Sequence, residues 1–273
     1  MTYVWFFLGV LWYTLGAIVI CGFAVSLCRS LFIRMMGRGF GRGIVMATSI
    51  VGTPIHEAGH AIMCILFGHR IKDMSLWQPL SPDGNLGYVT HAYKKRNPYH
   101  VLGNLFIAVG PIFSGLAVIT IALRMGFPAA FADYTASAAR LAASGQGGFA
   151  LLGEGLAMIP RIAEELTGDG RTVPLWGQIP ALAVILSVSQ HISLSTADIR
   201  GGATALPLYG ALILILTAVC GLLGQSAMDG VSSALRLFSG YMTALLTVAL
   251  VASLLQLILA LPVWLIRLLT RRA

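Results

Sequence analysis

Charge is what this chain has least of. Asp, Glu, Lys and Arg make up 10% of its 273 residues, against about a quarter in ordinary soluble domains. A conventional water-facing globule is thereby excluded, and a polytopic membrane protein is expected. Acids are scarcer than bases, ten against eighteen, for a formal charge of +8. An excess of that sign can serve nucleic acid, but here Lys and Arg fall in short clusters between apolar runs. That is the placing of membrane flanks, and no nucleic-acid partner is expected. The four cysteines, Cys21, Cys28, Cys64 and Cys220, lie in apolar stretches without disulfide or metal spacing. They read as small lipid-facing or packed residues, which leaves the redox compartment open. No Lys or Arg precedes the first apolar run, and the run outlasts a secretory h-region, so it is expected to stay in the bilayer. No internal repeat is evident, and nothing in the sequence sets an oligomeric state.

Apolar residues are abundant: 57% of the chain, with a mean hydropathy of +0.84. They fall in runs at about 4–27, 44–67, 100–123, from 173 toward 198, 203–223 and 240–265. The expected fold is all-α and polytopic, with about six transmembrane helices and a small β-hairpin-like segment after the second. Residues 1–43 would hold the first span and an interfacial linker punctuated by Arg29, Arg34, Arg38 and Arg42. Residues 44–202 would form a core of three spans, with a hairpin at 68–98 and a cap at 124–172. Residues 203–273 would add two spans without a central charge. Within the hairpin region, IKDMSLW and NLGYVTHAY have strand-like content, and SPDG supplies a turn between them. The cap holds PAAFADYTASAARLAA and LLGEGLAMIPRIAEEL, separated by SGQGG, neither long and apolar enough to span.

The stretch TPIHEAGHAIMCILF, residues 53–67, carries the chemistry. His56 and His60 are four residues apart, so on a helix both imidazoles leave the same face and can bind one ion. In the HExxH pattern the two histidines ligate Zn²⁺, and the intervening carboxylate, here Glu57, takes a proton from bound water. Thr53-Pro54 reads as a helix start or kink. Gly59 leaves room for close approach by another helix or a substrate backbone. In the next run Gly103, Gly110, Ser114 and Gly115 make a small-residue surface, Pro111 is expected to kink the helix, and His100 and Asn104 lie one turn apart near its start.

A two-histidine site needs a third protein ligand and an open position, and a carboxylate is a usual choice. Asp198 follows the long apolar run from 173; one span out and one span back would return it to the membrane face of the HExxH. Its alternative role is to cap the turn into Arg200-Gly201-Gly202. His191 is the alternative third ligand, or a group that supports the site or meets the substrate; on a continuous helix it would share a face with Asp198. His100 is a further ligand candidate, and His100 and Asn104 are both substrate-contact candidates.

HEAGHA in one span, a hairpin-like segment after it, AVGPIFSG in the next span and an Asp near the end of a later one resemble the site-2 protease family of intramembrane zinc metalloproteases. The resemblance covers residues 44–202 and matches the HExxH residue for residue. Gly110-Pro111 is similar to the family's Gly-Pro element, with Ser114 where Asn often stands, and Asp198-Ile-Arg-Gly-Gly stands where an Asp-Gly element with an upstream Asn-Pro is usual. There is no inserted PDZ-like domain. The resemblance implies zinc held by His56, His60 and Asp198, Glu57 as general base, and hydrolysis of a peptide bond in or near a transmembrane segment of a membrane-protein substrate. It also implies a bacterial inner membrane with the site and both termini toward the cytosol. Counting Lys and Arg does not orient the chain, since nine fall on each side of a six-span arrangement. A substrate helix must unwind before attack, and pairing with residues 71–77 or 86–91 would offset that cost. A metal-binding scaffold or sensor, or an ion or solute transporter, is the alternative; the transporter is disfavoured by the absence of paired acids and of broken helices in repeated halves.

Overall fold

The protein is described here from a computed structural model. It describes residues 3–79, 81, 84–144, 149–168 and 173–270. Positions 82 and 83 of the SPDG turn, 145–148 of the Gly-rich link, Arg171 and the terminal Arg271 and Arg272 lie outside the described residues.

In chain order the helices are α1 (Tyr3–Leu11), a π-helical turn (Trp12–Gly16), α2 (Ala17–Met36), α3 (Arg38–Leu66), α4 (Pro98–Gly126), α5 (Pro128–Ala143), α6 (Phe149–Thr167), α7 (Leu175–Ser189), α8 (Thr196–Ala203), α9 (Leu206–Leu223) and α10 (Gln225–Thr270). Strands β1 (Arg70–Ser75) and β2 (Tyr88–Ala92) lie between α3 and α4 and pair antiparallel, with an irregularity between Ile71 and Asp73. The fold is therefore mostly helical with one small hairpin sheet. Among the described residues, four helical stretches are long and apolar enough to cross a membrane: Tyr3–Met36, Pro98–Gly126, Leu206–Leu223 and Gln225–Thr270. The two other expected spans look different. The 44–67 run sits in α3, where Arg42, His56, Glu57 and His60 dilute the apolar residues. The run from 173 forms α7, whose 15 residues reach about 22 Å, short of a hydrocarbon core of about 30 Å.

Helix α4 is the central post. Ile112, Leu116, Ile119 and Leu123 on it are buried in a core shared with Ile18 and Val25 of α2, Tyr134 of α5, Leu151 and Met158 of α6, Val188 of α7 and Ala249 of α10. Burying such side chains stabilises by roughly 1.5–3 kcal/mol each if the alternative is water. The expected small-residue surface is real. A methyl group on Gly110 would lie 2.6 Å from the Gly59 carbonyl oxygen, so α3 and α4 meet backbone to backbone. The approach anticipated at Gly59 is thus that of a helix. A second cluster joins Phe6 and Val10 of α1 to Ile213 and Cys220 of α9 and Met228 of α10. All four cysteines are buried and free.

Several boundaries differ from the expectations. Residues 28–43 form helix, interrupted only at Gly37, whose φ of +84° suits glycine. Arg267 of α10 packs against that glycine and donates to the Met35 carbonyl, 2.9 Å. Helix α3 starts at Arg38 and carries Pro54 inside it, so, of its two expected roles, Thr53-Pro54 is not a helix start. The stretch from 173 to 198 is two helices rather than one. α7 ends at Ser189, and Ser195 begins α8 with a capping box: its Oγ accepts from the Asp198 N–H while Asp198 Oδ2 accepts from the Ser195 N–H.

Candidate metal centre

Helix α3 presents His56 and His60 on one face, their rings 4.9 Å apart and their Nε2 atoms separated by 3.2 Å. Each imidazole is fixed from behind. His56 Nδ1 donates to the His191 carbonyl at 2.6 Å, and His60 Nδ1 donates to the Ile107 carbonyl of α4 at 2.8 Å. In the neutral ring a proton on each Nδ1 leaves each Nε2 as a lone pair, the tautomer a metal ligand requires, and such outer contacts hold ligands in place. Asp198, at the start of α8, brings Oδ1 to 3.1 Å from His60 Nε2. Its two oxygens divide the work: Oδ2 caps the helix and Oδ1 faces the histidines. The cap lies at the start of α8, whose helix includes Arg200-Gly201-Gly202, rather than at a turn into them, and it leaves Oδ1 toward His60.

These three donors form a group within 4.8 Å of one another. A tetrahedral zinc with bonds of 2.0–2.1 Å has ligand edges of roughly 3.3 Å, so the separations of 3.2 and 3.1 Å fit one ion. With three protein donors, a fourth position remains for water or substrate. Glu57 opens onto the same cavity, which has a volume of about 430 Å³ and is walled by His56, His60, Asp198, Asn104 and residues of β2. Glu57 is 7% exposed and is backed by Gly87: a methyl group there would lie 2.8 Å from Glu57 Cγ.

The remaining sequence candidates are placed apart from the ligand group. The His191 ring sits against threonines, Nε2 3.1 Å from Thr48 Oγ1 and Nδ1 3.4 Å from Thr53 Oγ1, and Gly52 leaves room for it. It is the main chain of His191 that serves the site. The His100 ring faces Gly68 and the Lys94 N–H, away from the three donors. Asn104 reaches the cavity wall, where its amide donates to Thr204 Oγ1 at 3.0 Å. Ser114 donates to the Ile55 carbonyl at 2.8 Å, tying α4 to the turn that carries His56.

Some contributors were not visible in the sequence. The carbonyls of His191 and Ile107 have no residue signature. Arg29, read as a linker residue, donates to Ser193 Oγ at 3.1 Å and lines a smaller cavity of about 200 Å³ with Thr53, His56, Glu57 and His191. Ser195-x-x-Asp198 is the capping pattern that starts α8, hidden in the sequence behind the apolar run before it.

Fold and cluster together define a mostly helical, strongly apolar chain with a candidate metal centre of two histidines and one aspartate, open to a cavity beside a carboxylate. No family model, curated protein or solved structure matches this chain.

Proposed function

We propose that this protein is an intramembrane zinc metalloprotease of the site-2 protease type, cleaving a transmembrane protein substrate within the lipid bilayer. The observation that carries this reading is the convergence of His56 Nε2, His60 Nε2 and Asp198 Oδ1, with both Nδ1 protons committed to backbone carbonyls and Glu57 on the same cavity. Zinc, when bound there, supplies Lewis-acid activation of water and of a peptide carbonyl. Glu57 takes the proton of the attacking water on a carboxylate oxygen and delivers it to the leaving amine nitrogen. Its burial beside Gly87 limits it to few positions, which favours in-line proton transfer.

Strand β2 bounds the cavity through Tyr88, Val89 and His91, so an unwound substrate segment laid beside it would regain the backbone hydrogen bonds it loses on leaving its helix. Of the two segments expected to pair, residues 86–91 are thereby favoured over 71–77. Asn104, Ala108 and Thr204 also line the cavity. The same reading places the protein in a bacterial inner membrane, crossed by the four long apolar stretches with α3 and α7 packed among them, with the centre open to the cytosol and α1–α2, α9 and α10 controlling lateral entry.

The test is cleavage of a helical transmembrane substrate co-reconstituted in liposomes with zinc. Wild type is expected to yield fragments, and Glu57→Gln to lose at least about a hundredfold in rate while retaining metal. Turnover undiminished in Glu57→Gln overturns the assignment.

A further inference from the structure

We propose that Cys64, His69 and His91 form a second metal site, for a borderline-soft cation such as Zn²⁺, that clamps the hairpin to the end of α3. The three side chains come from three places: Cys64 from the last turns of α3, His69 from the link into β1, and His91 from β2. Their ligand atoms lie within 4.8 Å of one another. Cys64 is 0% and His69 5% exposed.

The protonation pattern favours a cation. His69 Nε2 donates to the His100 carbonyl at 2.8 Å, so in the neutral ring its Nδ1 is a lone pair. That lone pair points at His91 Nδ1, 2.9 Å away. Two ring nitrogens facing each other need either a shared proton or a shared cation. The Cys64 sulfur beside them supplies a third donor that a simple hydrogen bond does not use. One thiolate with two imidazoles suits zinc, and its binding releases the thiol proton to solvent.

Placement gives the site a role. His56, His60 and Cys64 follow one another at intervals of four residues, so the thiol continues the ligand stripe of α3 one turn further. His91 belongs to the strand that walls the 430 Å³ cavity. A cation bridging Cys64 and His91 therefore fixes the cavity wall relative to the helix that carries the first centre.

The experiment is zinc analysis and cobalt(II) spectroscopy of the purified full-length protein in detergent. Wild type is expected to bind two equivalents of metal, and its cobalt form to show a thiolate-to-cobalt charge-transfer band. His56→Ala/His60→Ala protein is expected to keep one equivalent and the band, whatever the activity of the first centre. Cys64→Ser, nearly isosteric and hence safe for folding, is expected to lose the band and one equivalent, and His91→Ala to lose the same equivalent. A charge-transfer band that survives Cys64→Ser, or a wild-type protein that binds cobalt with no such band, overturns the proposal.

Discussion

At the residue scale the centre is built by groups that do two things at once. Asp198 caps α8 with one oxygen and faces His60 with the other, so the side chain that starts the helix is also the one that completes the donor set. His191 gives its carbonyl to His56 and its ring to Thr48 and Thr53. Gly87 contributes by having no side chain. Gly87→Ala would set a methyl group 2.8 Å from both Glu57 Cγ and Thr53 Cγ2, so the packing that holds Glu57 must shift. The expected outcome is a cleavage rate reduced roughly 10–100-fold with first-centre zinc unchanged, read from rate and metal content on one preparation. An unaltered rate would show that Glu57 does not act from its present position. Type and spacing singled out His56, Glu57 and His60, and Asp198, with His191 as its alternative, was the carboxylate expected to join them; His56, Glu57, His60 and Asp198 line one cavity. Sequence reading missed the supporting carbonyls because a carbonyl is common to every residue, and only the packing of α7 and α4 on α3 decides which ones matter. It also treated Cys64 as a packed thiol, since its partners His69 and His91 reach it only once the hairpin has folded back.

Among elements, the contact of α3 with α4 sets the geometry of His60, whose proton goes to a carbonyl on α4. Gly59→Ala would place a methyl group 2.5 Å from Ser114 Oγ and 2.6 Å from the Gly110 carbonyl oxygen. Backbone cannot rotate away as a side chain can, so the helices must part, at a cost of about 1–3 kcal/mol. Thermal unfolding should report that loss, together with weaker zinc retention. Unchanged stability would contradict the tight crossing.

The hairpin makes a different test. His69 and His91 are held below the ordinary histidine range, chiefly by burial, so the unfolded chain binds more protons than the folded one once pH falls through about 6.5. Stability of chelator-treated protein should therefore be full above that pH and decline as the solution is acidified, with a shallower decline in His91→Gln. Identical pH slopes in denaturant titrations of the two proteins would refute it.

The β-pairing of residues 70–75 with 88–92 was legible from strand-like content flanking a turn, whereas the division of 173–198 into α7 and α8 was not. Its apolar run suggested one span and masked the Ser195-x-x-Asp198 start. At Thr53-Pro54, expected as a helix start or a kink, it is the start that fails, since α3 begins at Arg38. Proline usually marks a helix start in water-exposed chains, but an apolar helix packed on neighbours can carry one in its interior.

For the molecule as a whole, low charge and long apolar runs announced a helical, membrane-type architecture, and among the described residues four helical stretches have the length and composition to cross a bilayer. What composition could not convey is which helices meet. The centre joins α3 to α8 across the intervening α4, an arrangement reached only through long-range packing around Ile112, Leu116 and Ile119. α10 contributes from a distance. Gln256 donates to the Leu186 carbonyl and to Ser189 Oγ, at 2.6 and 2.7 Å, and also pairs with Gln190. These bonds hold the end of α7 from which His191 extends. The central claim is that one ion bridges these separate helices, and it is tested most directly by the zinc content of Cys64→Ser protein, in which only the first centre remains. One equivalent per chain is expected, lost when His60→Ala or Asp198→Ala is added. Undiminished zinc after both replacements would contradict the bridge.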